Sequence, residues 1–472
     1  VLITPHPDPT LPAPWRYRLP GTGAALAWLA QHGWGVGTRL GLGPANTAAG
    51  AALINACIVA GVVVVPFNRR LHADELRRQV AQARLDGLAA DADHPLAALG
   101  AITIPAYDNA CVSWPMLGHV AETAPALVLF TSGTTAAAKP VRLSRRAIAA
   151  AAMAATERLA LTPADLWLGC LPPDHIGGIS IILRAMVSGC RLWLLPRFDE
   201  AAVTAACDQG ATGVSVVPTM LHRLIMRRGD QPWSPTLRRL LTGGGPLSAD
   251  LIARCTALGL APCQTYGLTE AASQVCTLAP AEAAAHPGSA GRPVRGMAVA
   301  IRDDAGHDLP TGATGRIWIS GDSLCDGYED DRLDVRTPAR GTDGPLWFPT
   351  GDLGSLDANG FLTVVGRHDD VIVSGGENIA PAEIEAVLER HPAIREAGVY
   401  ALPDAEWGQV VIAALVPHDH PIVDAELEAF LIAHLSRFKR PRRWRWVAEL
   451  PRTASGKLQR TRLGAIPHAS DS

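Results

Sequence analysis

Residues 126–139 read Ala126-Leu127-Val128-Leu129-Phe130-Thr131-Ser132-Gly133-Thr134-Thr135-Ala136-Ala137-Ala138-Lys139. The apolar run at 126–130 spells a buried strand. It empties into small hydroxylated residues around one glycine, closed by a lysine. Exposed backbone N–H groups, threonine and serine hydroxyls and one ammonium are what a polyphosphate needs. The same residues also describe an ordinary polar strand-to-helix turn with a solvated lysine. The loop alone leaves both readings standing.

Outward from the loop, apolar and amphipathic segments alternate. A strand at 39–42, a small-residue helix at 46–60, a wholly apolar strand at 62–66 and a one-faced charged helix at 72–83 precede it. After it come helices at 147–159 and 179–188 and strands at 166–171 and 191–195. Two further strands, at 213–218 and 239–245, each run into a loop. Alternation at this length specifies an α/β fold of parallel sheets with helices on both faces. Past Ser289 the texture changes to short β segments with Gly/Asp turns at 297–302, 315–320 and 360–366, a small β-barrel-like part. The remaining tail reads as a small α+β domain. The expected domains are 1–368 and 369–472, divided where charges around Asp369 interrupt two apolar β runs.

A chain of 472 residues exceeds the usual size of one core, which favours two or three domains. With 48% hydrophobic and 18% charged residues it is globular. A net charge of −3 gives no reason to expect nucleic acid. The basic cluster Arg437-Phe438-Lys439-Arg440-Pro441-Arg442-Arg443 lacks the glycine and aromatic spacing of an RNA-binding signature, and reads as a phosphate contact or a solvated face. Nine cysteines without a C-x-x-C pair argue against a disulfide framework or a zinc knuckle and fit a reducing cytosol. No signal-peptide pattern is visible, and the longest apolar run, 58–67, is too short to span a bilayer. The expectation is a cytoplasmic protein without membrane insertion.

Further chemistry-bearing segments stand in order after the loop. Leu241-Thr242-Gly243-Gly244-Gly245-Pro246-Leu247 ends a strand in glycines, where backbone can approach a flat ring closely. Gln264-Thr265-Tyr266-Gly267-Leu268-Thr269-Glu270 puts an aromatic, a hydroxyl and a carboxylate together. Phe348-Pro349-Thr350-Gly351-Asp352 carries a lone acid suited to a sugar diol. Gly366-Arg367-His368-Asp369-Asp370 leads through a short strand into Ser374-Gly375-Gly376-Glu377-Asn378, and Pro451-Arg452-Thr453-Ala454-Ser455-Gly456-Lys457 lies in a polar loop. Singly, each has a plain reading: Tyr266 capping a core, Asp352 capping a helix, Lys457 on the surface.

Together, in this order and spacing, they resemble the adenylate-forming superfamily of acyl-CoA synthetases, peptide-synthetase adenylation domains and luciferases. The resemblance covers nearly the whole chain. It implies a reaction in which a carboxylate attacks the α-phosphate of ATP and a thiol then displaces AMP, with positioning and charge neutralisation carrying the catalysis. It also implies a site. Thr131, Ser132, Gly133, Thr134, Thr135 and Lys139 would hold the β- and γ-phosphates. Thr269 would bind the α-phosphate, and Glu270 would coordinate Mg²⁺. Tyr266 would stack on adenine against Gly243, Gly244 and Gly245, while Asp352 and Arg367 would bind the ribose. Lys457 would bridge the carboxylate and the α-phosphate. Rotation of a mobile C-terminal domain about a hinge at Asp369 would then exchange Lys457 for the Gly375-Gly376 turn in the thioester step. The co-substrates implied are ATP, coenzyme A and a small carboxylic acid; a monomer or a homodimer is left open.

One departure stands in the phosphate loop, where Ala136, Ala138 and Pro140 replace the family's glycine, proline and glycine. The lost glycine restricts the backbone, so slower or weaker ATP use is expected. Leu171-Pro172-Pro173-Asp174-His175-Ile176-Gly177-Gly178 corresponds to the acyl-pocket segment, which makes His175 a candidate catalytic residue beside its plain reading as a core histidine. That segment, together with 215–219, 266–275 and 288–293, is similar to the o-succinylbenzoate–CoA ligase subfamily. Its acid carries a second carboxylate, for which Ser180, Ser273, Thr277 or Arg184 would be the donors. The segment 374–379 looks instead like benzoate-type ligases. Transfer to a carrier protein, or a non-catalytic nucleotide binder, completes the alternatives.

Overall fold

The computed structural model describes residues 2–4, 6–7, 15–71, 73–107, 120–131, 138–329, 346–367, 370, 372–374, 377–404, 407–435, 437–453 and 458–466. The apolar run becomes the strand Pro125–Thr131, and Ala126, Leu127, Val128 and Leu129 are all buried in it. The chain beyond it does not pass from the turn into a helix. It returns as the antiparallel strand Lys139–Ser144, with Lys139 opposite Thr131. Only then does the helix Arg145–Arg158 begin, its first turn capped by Ser144 Oγ, which accepts from the Ala147 N–H at 3.3 Å. The strand-to-helix turn is thus corrected to a hairpin. Pro140-Val141-Arg142-Leu143 carries the period-2 signal, with Val141 and Leu143 fully buried. It is too short to stand out against the alanine-rich helix that follows.

Among the described residues this hairpin lies in a seven-stranded sheet. Its order is Gly327–Tyr328, Lys139–Ser144, Pro125–Thr131, Val63–Pro66, Arg39–Gly43, Gly87–Ala90 and Ile102–Thr103. The strands from Pro125–Thr131 onward are parallel. Val63–Pro66 is buried along its whole length, as an inner parallel strand must be. A second sheet of eight strands has the parallel core Arg191–Leu194, Leu166–Gly169, Gly213–Val216, Arg239–Thr242 and Cys263–Leu268. The helices Ala48–Ala60 and Ile176–Ser188 share one buried cluster with strands of both sheets. Asn46 joins the sheets by polar contact: its Nδ2 donates to Gly169 O at 2.8 Å and Leu195 O at 2.9 Å.

By packing, the chain divides into two units. Residues 1–244, 254–299 and 319–348 form one; 245–253, 300–318 and 349–472 form the other. The β-barrel-like part is a four-stranded sheet in the order Met297–Arg302, Gly315–Gly321, Phe348–Leu356, Leu362–Arg367. The tail is built on the long hairpin Ile394–Asp404 and Gly408–Pro417. Alternation along that hairpin explains its two cores. Val411, Ala413 and Leu415 face the helices Pro381–Leu388 and Asp424–His434, while Val410, Ile412, Ala414 and Val416 pack with Val447, Leu450 and Leu463. Among the described residues no helix is long and apolar enough to cross a membrane.

His94 shows how tightly the first sheet is packed at its loop end. Its ring lies 2.6 Å from where a Cβ on Gly43 would sit, so only glycine fits there. The Leu96 N–H donates to Nδ1 at 3.1 Å, which leaves Nε2 as the protonated nitrogen that donates to Phe67 O at 3.1 Å. The ring is therefore neutral. Burial pushes its pKa below the usual histidine value, against the raising effect of the Phe67 contact. A histidine depressed in the folded state is protonated first in the unfolded chain. Its contribution is intact above about pH 6.5 and is lost as the pH falls toward the folded value. Urea unfolding should show the midpoint falling between pH 7 and pH 5.5, and His94→Asn, which keeps the acceptor for Leu96, should flatten that slope.

Candidate active site

In open α/β sheets ligands gather at the carboxyl ends of the parallel strands, and there several of the expected residues meet. Gly243 and Gly244 follow Arg239–Thr242, with Gly244 in the left-handed region at φ +85°. A Cβ on Gly243 would lie 2.7 Å from Thr265 Cγ2 on the neighbouring strand, where Tyr266 is the next residue. Tyr266 is buried, and the pairing of Cys263–Leu268 with Ser273–Thr277 shifts register between Tyr266 and Gly267. Gly267 is obligatory, because a Cβ would fall 1.7 Å from Ser273 O.

The bulged hairpin carries Thr269 and Glu270 on its connecting 3-10 turn, Thr269–Ala271. Ala272 and Ser273 leave that turn at φ +51° and +118°, both unfavourable for residues with a side chain. Tyr328 donates its hydroxyl to Glu270 Oε1 at 2.8 Å, and the Cys325 N–H donates to Glu270 O at 2.7 Å. Tyr328 also lies under the ammonium of Lys139, 5.7 Å from ring centroid to Nζ. One tyrosine therefore gathers the residue that closes the threonine loop and the acid after Thr269. Sequence reasoning missed it; the only signal was a Gly-Tyr pair, Gly327-Tyr328, which becomes the strand at the edge of the first sheet. Thr131 Oγ1 donates to Lys139 O at 3.2 Å and closes the loop's base. Ser132, Gly133, Thr134 and Thr135 lie outside the described residues.

In the other unit, Asp352 and Arg367 are direct partners across Phe348–Leu356 and Leu362–Arg367, with Arg367 Nε 3.6 Å from Asp352 Oδ1. Thr350 Oγ1 donates to Ile317 O at 2.7 Å and accepts from the Asp352 N–H at 3.2 Å, which sets the strand carrying the acid. Asp369, Gly375, Gly376 and Lys457 lie outside the described residues. The stretch holding Lys457 is closed at its base by the bridge Arg452↔Leu458 and by the Gln459 N–H donating to Pro451 O at 2.8 Å. Arg452 pairs with Glu396 at 2.6 Å. Arg460 pairs with Asp370 at 3.2 Å and with Glu385.

The acyl-pocket candidates separate. Ser180, Arg184 and Ser273 line one small cavity of about 10 Å³ with Ala151, Ala152, Ala155, Leu183 and Ala272, room for roughly one water. Arg184 is buried; it donates to Ser180 Oγ at 3.2 Å and to Ser215 Oγ at 3.3 Å, and lies 5.0 Å from the Trp167 ring centroid. No carboxylate of the described residues pairs with it. Burial pushes its pKa down to about 10. Thr277 does not belong with them: its hydroxyl is fully buried and engaged with Thr265 Oγ1 at 2.8 Å and Gln274 Oε1 at 3.1 Å. That expectation is corrected. His175 precedes the helix Ile176–Ser188, and its Nε2 meets Asn68 Nδ2 at 3.2 Å. Among the described residues no group of three or more His, Cys, Asp or Glu could hold a metal ion. A magnesium ion shared with phosphates needs only one or two carboxylates, and Glu270, oriented from outside by Tyr328, fits that use.

Strand-end glycines, a buried tyrosine, a braced acid and a threonine loop closed by lysine define a nucleotide-binding enzyme of the AMP-forming class. The family profile described as AMP-binding enzyme matches residues 24–329, and that of the AMP-binding enzyme C-terminal domain matches 383–457. The chain belongs to the AMP-binding enzyme family. It is 37% identical over 421 residues to a 2-succinylbenzoate–CoA ligase of Bacillus cereus (strain ATCC 10987 / NRS 248), covering 87% of this chain and 85% of that protein. Its structure is similar to that of o-succinylbenzoate CoA synthetase from Bacillus subtilis in complex with the acyl-adenylate intermediate. That match has a TM-score of 0.85 and 31% identity, and spans 95% of this chain and 92% of that one. The same Bacillus subtilis enzyme with ATP and magnesium ion matches at TM-score 0.83 and 30% identity, over 95% of each chain.

Tyr328→Phe removes one hydrogen bond to a carboxylate, worth about 1.5 kcal/mol or more. Its kcat/KM with ATP should fall about tenfold, with a higher magnesium requirement and an almost unchanged melting temperature. Titrating magnesium against the initial rate of pyrophosphate release checks this.

Proposed function

We propose that the protein is an ATP-dependent acid–CoA ligase that converts 2-succinylbenzoate to 2-succinylbenzoyl-CoA, a step of menaquinone biosynthesis. The observation that carries the choice of acid is Arg184. A buried guanidinium whose hydrogen bonds reach only hydroxyls favours a carboxylate that brings its own charge. A dicarboxylic acid can offer one carboxylate to that group while the other reacts; benzoate cannot.

In the first step a carboxylate oxygen attacks the α-phosphorus of ATP, and the bond to pyrophosphate breaks. In the second the sulfur of coenzyme A attacks the acyl carbon, and the bond to AMP breaks. Thr131, Ser132, Gly133, Thr134, Thr135 and Lys139 bind the departing phosphates, and Thr269 the α-phosphate. Glu270 would hold a magnesium ion, which would neutralise phosphate charge. Gly243, Gly244, Gly245 and Tyr266 enclose the adenine, and Asp352 and Arg367 take the ribose hydroxyls. Lys457 neutralises charge where the two anions meet. The domain boundary falls at Asp369, the hinge about which the C-terminal domain turns so that the Gly375-Gly376 turn serves the second step. The eight described cysteines are all buried free thiols, which suits a cytoplasmic location.

Pyrophosphate release measured over a panel of carboxylic acids, with and without coenzyme A, tests the assignment. Release should be strongest with 2-succinylbenzoate, and catalytic turnover should require coenzyme A. Equal rates with benzoate would move the protein to the benzoate-type ligases, a demand for a carrier-protein thiol to a loading enzyme, and silence with every acid to a binder. Lys457→Ala should lower the adenylation rate by about 10²–10³, as for other preorganised charged donors. Arg184→Gln should reduce kcat/KM for 2-succinylbenzoate about 10–100-fold, the range for a hydrogen bond to a charged group, and leave benzoate turnover nearly untouched.

A further inference from the structure

Among the described residues His175 has one side-chain hydrogen bond, and the chemistry of its partner decides which nitrogen carries the proton. Asn68 lies just beyond the carboxyl end of the inner strand Val63–Pro66, its side chain 3.2 Å from His175 Nε2. On its other side the Asn68 amide meets the Arg70 backbone N–H, whose nitrogen lies 2.8 Å from Asn68 Oδ1. A backbone N–H can only donate, so the atom facing it must be the carbonyl oxygen. Rotating the amide by half a turn would set two N–H groups against each other. The NH₂ therefore points at His175, and an NH₂ can only donate. Nε2 must accept, which makes it the unprotonated nitrogen.

We infer that Asn68 is a positioning residue that holds His175 as a neutral imidazole with its proton on Nδ1. The consequence rests on the reading of His175 as a wall of the acid site. There the ring presents an N–H donor to an incoming acid without holding it as an ion pair, which would resist the acid's departure as a thioester.

Two further features bear on this state. His175 is the N-cap of the 13-residue helix Ile176–Ser188. Its carbonyl is fixed by the Gly178 and Ile179 N–H groups, each at 3.0 Å. A positive charge is disfavoured at that end of a helix dipole. Gly178 is needed to let the turn close, because a Cβ there would lie 2.0 Å from Pro172 O. Against these stands Asp174, whose Oδ1 is buried without a hydrogen-bond partner among the described residues. An imidazolium, however, would point its own Nε2–H at the Asn68 NH₂ at 3.2 Å, donor against donor. The contact with Asn68 is the stronger constraint. Free imidazole side chains in water carry the proton mainly on Nε2, so the arrangement reverses the intrinsic preference and leaves a signature.

Nitrogen-15 NMR of the full chain reads it directly, with the His175 resonances assigned by their loss in His175→Phe. The wild-type spectrum should show a pyridine-type shift at Nε2 and a pyrrole-type shift at Nδ1. Asn68→Ala should move the proton toward Nε2, and Asn68→Asp, an acceptor in place of a donor, should do so completely. A proton on Nε2, or an imidazolium, in the wild type at neutral pH would overturn the inference without any variant having to fold. In kinetics, Asn68→Ala should lower adenylation about tenfold at constant melting temperature. It should add nothing in the His175→Phe background, where there is no tautomer left to set. Equal losses in both backgrounds would overturn the positioning role. Full activity of His175→Phe itself would remove His175 from the acid site and leave the tautomer result standing on its own.

Discussion

A polar group taken out of water must find a partner, and much of the order around this site follows from how that demand is met. Asp165 shows the demand fully met. Its carboxylate accepts from the Thr162 N–H and hydroxyl, from Thr212 Oγ1 and from both Arg238 and Arg239, at 2.7 to 3.0 Å. Burial alone would raise its pKa; the Thr162 N–H and Arg239 outweigh it and hold it below the ordinary carboxylate value. A group so saturated has nothing left for a ligand. Arg184, equally buried, makes its hydrogen bonds among the described residues to hydroxyls alone, with its guanidinium over the Trp167 ring. Breaking a buried pair by removing one partner is strongly destabilising because an uncompensated charge remains. In the proposed function, a site that stores such a charge gains binding energy when a substrate carboxylate arrives.

The same demand explains why the acid at 270 is where it is. In the proposed site, a carboxylate that would bind a metal shared with phosphate cannot be spent on a guanidinium. Tyr328 offers a neutral donor to one of its oxygens. The backbone that presents it is strained: Ala272 and Ser273 both adopt positive φ directly after the turn. Each such residue costs on the order of 1–3 kcal/mol. That strain persists only because the surroundings over-determine it, through the bulge at Gly267, the pairing of Ser273 with Leu268 and the Glu270 carbonyl bound by Cys325.

What the sequence revealed and what it hid divide along a physical line. Periodicity is local, so the alternating strands and helices of the two large sheets and the α+β tail could be read before any coordinates. The strand Lys139–Ser144 was lost because its few alternating residues merge into a helix-forming run. Glycines could be placed at the strand ends because only they tolerate the approaches found at Gly243 and Gly267. Tyr328 and Asn68 could not be found. Their roles arise from convergence over 58 and 107 positions of chain, and neither belongs to a patterned segment. Thr277 failed for the converse reason. Its hydroxyl type suited a ligand, but its strand position turns it toward Thr265 on the neighbouring strand and Gln274 on its own, which engage it.

In the proposed cycle a lysine arrives at the reacting centre and leaves again, and it has to be carried by something that does not deform on the way. The tail's second unit is built to that specification. Its long hairpin is covered on one face by two helices and on the other by Val447, Leu450 and Leu463, so the strands cannot shear without exposing one core. Leu463 comes from the 3-10 turn Arg460–Ala465, which begins at the residue that ties Asp370 to Glu385. Arg452, on the opposite stem, is tied to Glu396. Both described stems of the stretch that holds Lys457 are thus anchored to the same sheet-and-helix body. With the stems fixed, the hinge rotation proposed above would carry Lys457 together with that body. In the proposed cycle the energy of switching then resides in a few backbone dihedrals at the hinge, the least expensive place in the fold to put it.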